Sequence, residues 1–305
     1  MKRNEAITTV KSQPLNVPVL FLIFNRVEQS RLVFAEIARQ RPQKLYIAAD
    51  GPRLLVQGEV EVCNETRQAI LNSINWDCQL KLLFRETNLG CGKAVSSAID
   101  WFFESENEGI ILEDDCLADP CFFDFCGKML QQYRDNENVL HISGNNFQEG
   151  NIRGDGSYYF SNLAHIWGWA TWRRAWKLYD FTLDRYKDVM RPALPNKVER
   201  MIYHIQKGSL DTWDTQWFAT VWWNRGLAIC PQVNLIRNIG FGRGKGATHT
   251  KSSEPGWMKR MQYGSIDNVV HPTSISVDQK ADSFTIHNVY TDYWLNRLIK
   301  KIIRR

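Results

Sequence analysis

The sequence lacks the long apolar runs and the paired cysteines of membrane-spanning and disulfide-stabilised proteins. Its apolar run at residues 17–24 is too short to cross a bilayer, and no apolar segment of the secretory type precedes it. The seven cysteines are odd in number, include no Cys-x-x-Cys pair and are too sparse for a disulfide scaffold. We therefore expect reduced thiols in a cytoplasmic protein.

A strong charge of one sign is also missing. The net charge is +5 over 305 residues, and the excess basic residues collect at the extreme C-terminus rather than along a groove. This distribution argues against a nucleic-acid partner. No repeat or low-complexity stretch is evident, and 44% apolar residues suffice for a continuous core. The composition is that of a globular protein with one large domain or two small ones.

Short apolar runs alternate with helical segments through the first half of the chain. Strands are predicted at residues 17–24, 44–49, 80–84, 110–112 and 139–143, and helices at about 27–41, 63–74, 94–103 and 122–133. Because strands that alternate with helices pair in parallel, this order predicts an α/β fold with a doubly wound, mostly parallel sheet.

Three consecutive carboxylates, Glu113, Asp114 and Asp115, follow the apolar run at 110–112. The carboxyl end of a strand is where α/β sheets bind ligands. Because adjacent carboxylates repel one another, a fold that gathers them there needs a divalent cation or a bound ligand to offset the charge. The triplet therefore predicts a metal-assisted enzyme.

Aromatic residues are concentrated in the second half, where eight of the twelve tryptophans lie between residues 167 and 223. Aromatic side chains suit the faces of sugar rings, but most buried tryptophans belong to a packed core. We expect about two of these eight to contact a ligand and the others to pack in the interior.

The order of several motifs over residues 17–250 resembles the nucleotide-sugar glycosyltransferases of the GT-A fold, especially the N-acetylglucosaminyltransferase I group and bacterial family 2-related enzymes. The motifs are Arg26 after the first strand, Asp50 after the second, Glu113 to Asp115 followed by Pro120, Phe122 and Phe123, then Gly168-Trp169, and a Trp-Asp segment leading to residues 225–231. The resemblance implies a nucleotide-diphospho-sugar transferase fold.

The same resemblance implies a set of donor contacts. Asp115 would bind Mn²⁺ or Mg²⁺, a cation that neutralises a departing nucleoside diphosphate. Glu113 and Asp114 would contact the donor sugar and ribose, and Arg26 would contact the same donor. Asp50 matches the acid that accepts a hydrogen bond from uracil, which makes UDP the expected nucleotide.

Two further residues have open assignments. Lys93 follows a glycine-containing loop near a helix start, where backbone N–H groups favour anions, so it either reaches the diphosphate or is a surface lysine. His249 follows the glycine-rich segment 240–246 and is either a ligand of the metal or diphosphate, as in many GT-A enzymes, or a solvated loop histidine. Arg243 and Lys245 would close over the phosphates as a lid.

An inverting transfer needs a carboxylate that removes the proton from the acceptor hydroxyl. The candidates are Asp211 and Asp214, either of which could instead cap the following helix. The family pattern Trp-Asp-Asp favours Asp214, but Thr215 replaces the second acid. Alignment backward from Arg225 implies a one-residue shift, so Asp211 stays a rival.

The sequence is therefore identified as a metal-dependent, inverting glycosyltransferase that moves a hexosyl or N-acetylhexosaminyl group from a nucleotide donor to a glycan or lipid-linked acceptor in bacterial surface polysaccharide synthesis. The alternatives are a nucleotidyltransferase, disfavoured because residues 24–28 lack a glycine-rich basic signature, and a non-catalytic sugar- or nucleotide-binding protein.

The expected organisation is a disordered leader (1–16), a nucleotide-sugar-binding half (17–150), an acceptor and catalytic half of the same domain (151–285), and an amphipathic basic helix (286–305). That helix either lies on the anionic inner face of the cell membrane or packs on the domain.

Overall fold

An eight-stranded sheet forms the centre of the protein in a computed structural model that describes residues 14–241 and 256–291. The strands are β1 (Val19–Ile23), β2 (Lys44–Ala49), β3 (Gln79–Phe84), β4 (Glu108–Glu113), β5 (Cys116–Ala118), β6 (Val139–Ser143), β7 (Tyr158–Ser161), β8 (Trp169–Trp172), β9 (Leu227–Pro231) and β10 (Ile236–Asn238). The α-helices are α1 (Val27–Gln40), α2 (Glu59–Leu71), α3 (Cys91–Ser105), α4 (Pro120–Gln132), α5 (Arg173–Trp176), α6 (Asn196–Gln206), α7 (Asp214–Trp223) and α8 (Gln279–Thr285).

The strand order is β3-β2-β1-β4-β8-β6-β9-β7, and β5 pairs with β10 in a separate small sheet. Strands β1 to β4 are parallel to one another, while β8 runs against both of its neighbours, β4 and β6. Within this sheet β7 and β8 run opposite to the other six strands. The carboxyl ends of β1, β2 and β4 therefore meet at one edge of the sheet.

Both faces of the sheet are covered, because the central strands are apolar on each side. Along β1, Val19 and Phe21 pack with the apolar residues of α1, α2 and α4 on one face. Leu20 and Leu22 pack on the opposite face with α3, α5 and α7. This arrangement confirms the predicted fold class, a doubly wound and mainly parallel α/β sheet.

The elements of the first half lie close to their predicted positions. The largest shift concerns α2, which begins at Glu59 and ends at Leu71 rather than covering 63–74. The sequence did not predict strands β7, β8 and β9. Their burial on both faces explains this, since β8 reads Trp-Ala-Thr-Trp and shows no alternation between apolar and polar residues.

The chain ends bear on two expectations. Leu15 exchanges backbone hydrogen bonds with Gln40 and Gln43, whereas residues 1–13 of the expected leader lie outside the described part. The first residues of the expected C-terminal helix, Ile286–Tyr290, form a π-helical segment after α8, and its basic part lies outside the described residues. Within 14–241 and 256–291, no helix is both long and apolar enough to cross a membrane.

Candidate functional site

The acidic triplet lies at the carboxyl end of β4. Glu113 is the last residue of that strand, and Asp114 and Asp115 form the turn into β5, with 5% and 7% of their surfaces exposed. The parallel pairing of β4 with β1 brings this turn next to the residues that follow β1. The tertiary structure thus places three carboxyl groups at the edge where parallel sheets bind ligands.

Arg26, which follows β1, neutralises part of this charge. Its Nη1 atom donates to Asp114 Oδ1 at 2.8 Å and to Asp115 Oδ2 at 3.0 Å. The backbone N–H of Phe24 lies 3.4 Å from Asp114 Oδ2. One guanidinium group therefore bridges both aspartates and orients the turn that carries them.

One arginine does not balance three carboxyl groups. Burial, and then the charges of the neighbouring aspartates, raise the pKa of Glu113 to about 8. Burial also raises the pKa of Asp114 to about 6, although the charge of Arg26 opposes this rise. The positive charge of Arg26 is therefore too small to balance the three carboxyl groups. Carboxylate oxygens are hard ligands, which Mn²⁺ and Mg²⁺ prefer, so the triplet fits such a cation.

Within residues 14–241 and 256–291, no group of three His, Cys, Asp or Glu side chains is arranged to hold a metal ion by itself. This does not conflict with the fit, because Mg²⁺ commonly uses one or two protein carboxylates and completes its coordination with waters and substrate phosphates. Asp115 and the neighbouring carboxylates are the groups that would hold such a cation.

Asp50 follows β2 and fixes the loop before α3. Its Oδ2 atom accepts a hydrogen bond from Asn88 Nδ2 at 2.9 Å, and both carboxylate oxygens lie 3.1 Å from the Leu89 backbone nitrogen. The Gly51 N–H donates to Oδ1 at 2.9 Å. Because the Leu89 N–H is shared between both oxygens, three donors face a carboxylate with about four acceptor positions, and one position is left for a ligand.

These residues surround a pocket of about 370 Å³, which we call the carboxylate pocket. Its wall contains five of the residues predicted from the sequence: Arg26, Asp50, Glu113, Asp114 and Asp211. It also contains three polar residues that sequence reasoning missed: Arg53, Arg85 and Asn88. The sequence could have pointed to these three residues, because each lies only a few positions after the end of a predicted strand.

Arg85 differs from the other two arginines of the wall. Arg26 is paired with the triplet and Arg53 with Glu59, whereas the Arg85 guanidinium donates a hydrogen bond to Ser97 Oγ at 2.9 Å. Burial lowers the pKa of Arg85, although the charge of Asp50 opposes this effect. A half-buried guanidinium of this kind suits an anionic ligand such as a phosphate.

The N-terminus of α3 forms another part of the wall, and Asp211 occupies it. Asp211 Oδ1 accepts a hydrogen bond from the Gly92 N–H at 2.9 Å. Asp211 therefore stabilises α3 rather than the helix that follows it in sequence, α7, which has no side-chain cap. Lys93 is exposed on the first turn of α3.

Gly92 has no room for a side chain. A Cβ atom there would lie 2.6 Å from Asp211 Oδ1 and 2.7 Å from the Thr212 carbonyl oxygen. We expect Gly92→Ala to displace the 211–212 segment and lower the free energy of unfolding by about 1–3 kcal/mol in chemical denaturation. Gly127→Ala in α4 is the control, because its Cβ would meet no atom closer than 3.4 Å. Equal stability of the two variants would contradict this prediction.

Asp214 lies on the other side of Trp213, which stacks on Trp169 in the core with ring centroids 5.6 Å apart. As the first residue of α7, Asp214 accepts through Oδ1 from the Thr215 N–H at 2.7 Å and from Thr212 Oγ1 at 2.5 Å. Its charge is also one of the causes, after burial and the other two acids, that raise the pKa of Glu113. Asp214 is thus oriented and electrostatically coupled to the carboxylate pocket.

Asp214 also lines a second cavity of about 210 Å³, which we call the aromatic pocket. The rings in its wall belong to Phe147, His165, Trp167, Phe218, Trp257 and Tyr290. Asp211 therefore lines the carboxylate pocket, and Asp214, three residues further along the chain, lines the aromatic pocket.

The tryptophans of residues 167–223 lie in the core and in the wall of the aromatic pocket. Trp169, Trp172, Trp213 and Trp217 are buried in the core, as expected for most of the cluster, and Trp167 lines the aromatic pocket. His249 and the suggested lid residues Arg243 and Lys245 lie outside the described residues. All seven cysteines are free thiols, as predicted.

No family model and no curated protein matches this chain. Among solved structures it is similar to a mannosyltransferase from Pyrobaculum calidifontis in complex with GDP-Man and Mn²⁺, at 14% identity and a TM-score of 0.37, over 58% of this chain and 48% of that chain. It is also similar to a cytidylyltransferase from Leptospira borgpetersenii serovar Hardjo-bovis, at 10% identity and a TM-score of 0.35, over 64% of this chain and 72% of that chain. The chain spans about half the length of the mannosyltransferase. At TM-scores this low, neither likeness carries an argument about function.

Proposed function

We propose that this protein is a metal-dependent, inverting glycosyltransferase that uses a nucleotide-sugar donor, most simply a UDP-sugar. The observation that carries the proposal is the position of Asp214, an oriented carboxylate in the wall of the aromatic pocket whose charge also acts on Glu113 in the wall of the carboxylate pocket. A two-substrate transfer needs such a group between its two binding sites, because the proton must leave the acceptor as the new bond forms.

The carboxylate pocket is the proposed donor site. Asp50 accepts a hydrogen bond from the base, and Asp114 and Glu113 contact the ribose and the sugar. Arg26 and Arg85 face the diphosphate. A divalent cation held by Asp115 would add positive charge beside the leaving diphosphate.

Asp214 is the proposed general base, and Asp211 has a structural role at the N-terminus of α3. In the transfer, the acceptor oxygen attacks the anomeric carbon while Asp214 takes its proton. The bond from the anomeric carbon to the phosphate oxygen breaks, and the nucleoside diphosphate leaves with the electron pair on the face opposite the acceptor. The hydrogen bonds from Thr212 and Thr215 to Oδ1 hold the carboxylate in one orientation.

A nucleotidyltransferase is the second reading, and its products differ. It would release pyrophosphate from a nucleoside triphosphate, whereas a glycosyltransferase releases a nucleoside diphosphate. The carboxylate of Asp214 in the wall of the aromatic pocket favours the glycosyltransferase. Nucleotidyl transfer to a phosphate would need no carboxylate, because a phosphate acceptor has no hydroxyl proton to lose as it attacks. This proposal also includes a glycan or lipid-linked acceptor, a role in bacterial surface polysaccharide synthesis, and attachment to the inner face of the cell membrane through the expected helix at residues 286–305.

The test is donor binding and hydrolysis by the purified protein across a panel of UDP-, GDP- and CMP-sugars, with Mn²⁺, Mg²⁺ or a chelator. We expect one donor to bind with metal, and Asp115→Ala to weaken its binding at least about tenfold, since a carboxylate that bridges to a metal is lost. Asp124→Ala, which removes an exposed carboxylate of α4, is the control. If no nucleotide sugar binds under any metal condition, the proposed function is wrong.

A further inference from the structure

The aromatic pocket offers ring faces and few charges to a ligand. Trp167 and Trp257 stack with centroids 5.7 Å apart and planes inclined by 24°, and Phe147 meets both rings edge-on. Its volume of about 210 Å³ corresponds to roughly seven waters of the liquid. A pocket of this size holds one ring of a substrate rather than a whole nucleotide sugar.

The polar groups of the pocket are mostly neutral. Burial, and then the charge of His141, lower the pKa of His165 to about 3, so its imidazole carries no charge at neutral pH. Burial and the charge of Asp214 raise the pKa of the Tyr290 hydroxyl, which lies 3.3 Å from His165 Nδ1. A tyrosine hydroxyl and a neutral imidazole can each donate a hydrogen bond to a hydroxyl group of a ligand or accept one from it, and neither favours a charged ligand.

The two charged side chains in the wall have opposite signs. Asp214 is the carboxylate, and the Lys197 ammonium donates to the Val289 carbonyl oxygen at 3.0 Å. Because their charges cancel, the described residues of the wall carry no net charge to offset the burial of an ionised ligand. A ligand with its negative charge beside Asp214, where the attacking hydroxyl would lie, would be repelled.

We propose that the aromatic pocket is the acceptor site and that it takes an uncharged sugar ring, whose apolar face lies on the Trp167 and Trp257 side and whose attacking hydroxyl reaches Asp214. The inference rests on the proposed function and adds the class of acceptor to it. Acceptor sugars that bear a carboxylate or phosphate on this ring are excluded.

The probes are matched pairs of p-nitrophenyl glycosides in which a neutral glucoside or galactoside is compared with the corresponding uronide, whose C6 is a carboxylate. Binding is measured by calorimetry in the presence of the donor nucleotide. We expect a neutral glycoside to bind at least about tenfold more tightly than its uronide, because burial of an unpaired carboxylate is costly. Equal or tighter binding of the uronides would overturn the inference.

The location is tested with Trp167→Leu, which removes an aromatic face, and Trp167→Phe, which keeps one. We expect Trp167→Leu to weaken glycoside binding about tenfold, Trp167→Phe to restore most of it, and neither to change the affinity for the nucleotide donor. Trp101→Leu is the control, since Trp101 packs on Tyr46 away from the pocket. Unchanged glycoside binding in Trp167→Leu would overturn the assignment.

The two proposals fail in different ways. A protein that binds a nucleotide sugar but no neutral glycoside would overturn the acceptor inference and leave the proposed function standing. A protein that binds no nucleotide sugar would overturn the proposed function first, whatever the glycosides do.

Discussion

Replacing Asp214 with Asn is expected to lower kcat about 10³-fold while the affinity for the donor stays unchanged, since general-base catalysis contributes about 10²–10⁴-fold. The amide oxygen of Asn still accepts from the Thr215 N–H and Thr212 Oγ1, so the fold of the segment is preserved. The amide cannot take up the acceptor proton. The measurement is steady-state kinetics with the donor found in the binding panel, together with donor binding by calorimetry.

Asp211→Asn is the matched control for this prediction. Its amide oxygen can still accept from the Gly92 N–H, so α3 keeps its N-terminal hydrogen bond and we expect kcat to change less than about tenfold. A large loss of kcat in Asp211→Asn, with normal turnover by Asp214→Asn, would reverse the roles of the two acids. Loss of donor binding in Asp214→Asn would show that this carboxylate belongs to the donor site.

Acid is expected to destabilise the fold through the buried His141. This histidine stacks on Trp169 with centroids 5.2 Å apart, accepts from Trp217 Nε1 at 3.1 Å through Nδ1, and has Nε2 2.9 Å from the His165 carbonyl oxygen. The hydrogen bonds therefore specify a neutral imidazole with its proton on Nε2. Burial, opposed in part by the hydrogen bond to His165, lowers the pKa of His141 from 6.5 to about 4.

The sign of the pH dependence follows from proton uptake by the two states. Below about pH 6.5 the unfolded chain binds a proton at His141 that the folded protein does not bind, so stability falls as the pH decreases from 6.5 to 4. A pKa difference of this size corresponds to about 3 kcal/mol of unfolding free energy. The measurement is chemical denaturation at pH 7.0 and at pH 4.5.

Other groups also contribute, so a variant is needed to isolate His141. Burial lowers the pKa of His165 to about 3, so His165 destabilises the fold in acid with the same sign. The raised pKa values of Glu113 and Asp114 mean that the folded protein binds their protons more readily, which stabilises it as the pH falls. We expect His141→Gln to be less stable than the parent at pH 7.0 but to lose less stability on acidification. An identical pH dependence in parent and variant would show that His141 does not control acid unfolding.

Much of the first half of the fold could be predicted because its signals are local. The apolar runs that became β1, β2 and β4 are buried on both faces, and each ends at a polar or glycine-containing turn. Their alternation with helices restricts the sheet to parallel pairing. The second half resisted prediction, since β7, β8 and β9 are short, are buried on both faces and show no alternation of apolar and polar residues.

The candidate site was only partly readable for a related reason. Glu113, Asp114 and Asp50 follow strands, and the carboxyl ends of parallel strands meet at one edge, so their proximity follows from the fold class. The sequence could not single out Arg85 as a site residue among the many arginines, because its suitability for binding an anion depends on its half-buried position beside Ser97. His249 remains a prediction outside the described residues.

The sequence by itself determined the α/β class, the parallel direction of the first strands and the strand end at which the acids lie. Each of these depends only on the apolar runs and on their alternation with helices along the chain. Only the tertiary structure distinguishes the surroundings of Asp211 from those of Asp214. Two acids three residues apart look alike in sequence, but Trp213 is fixed between them in the core. One carboxylate is thereby directed to the N-terminus of α3 and the other to the aromatic pocket, and contacts between residues far apart in the sequence produce this difference.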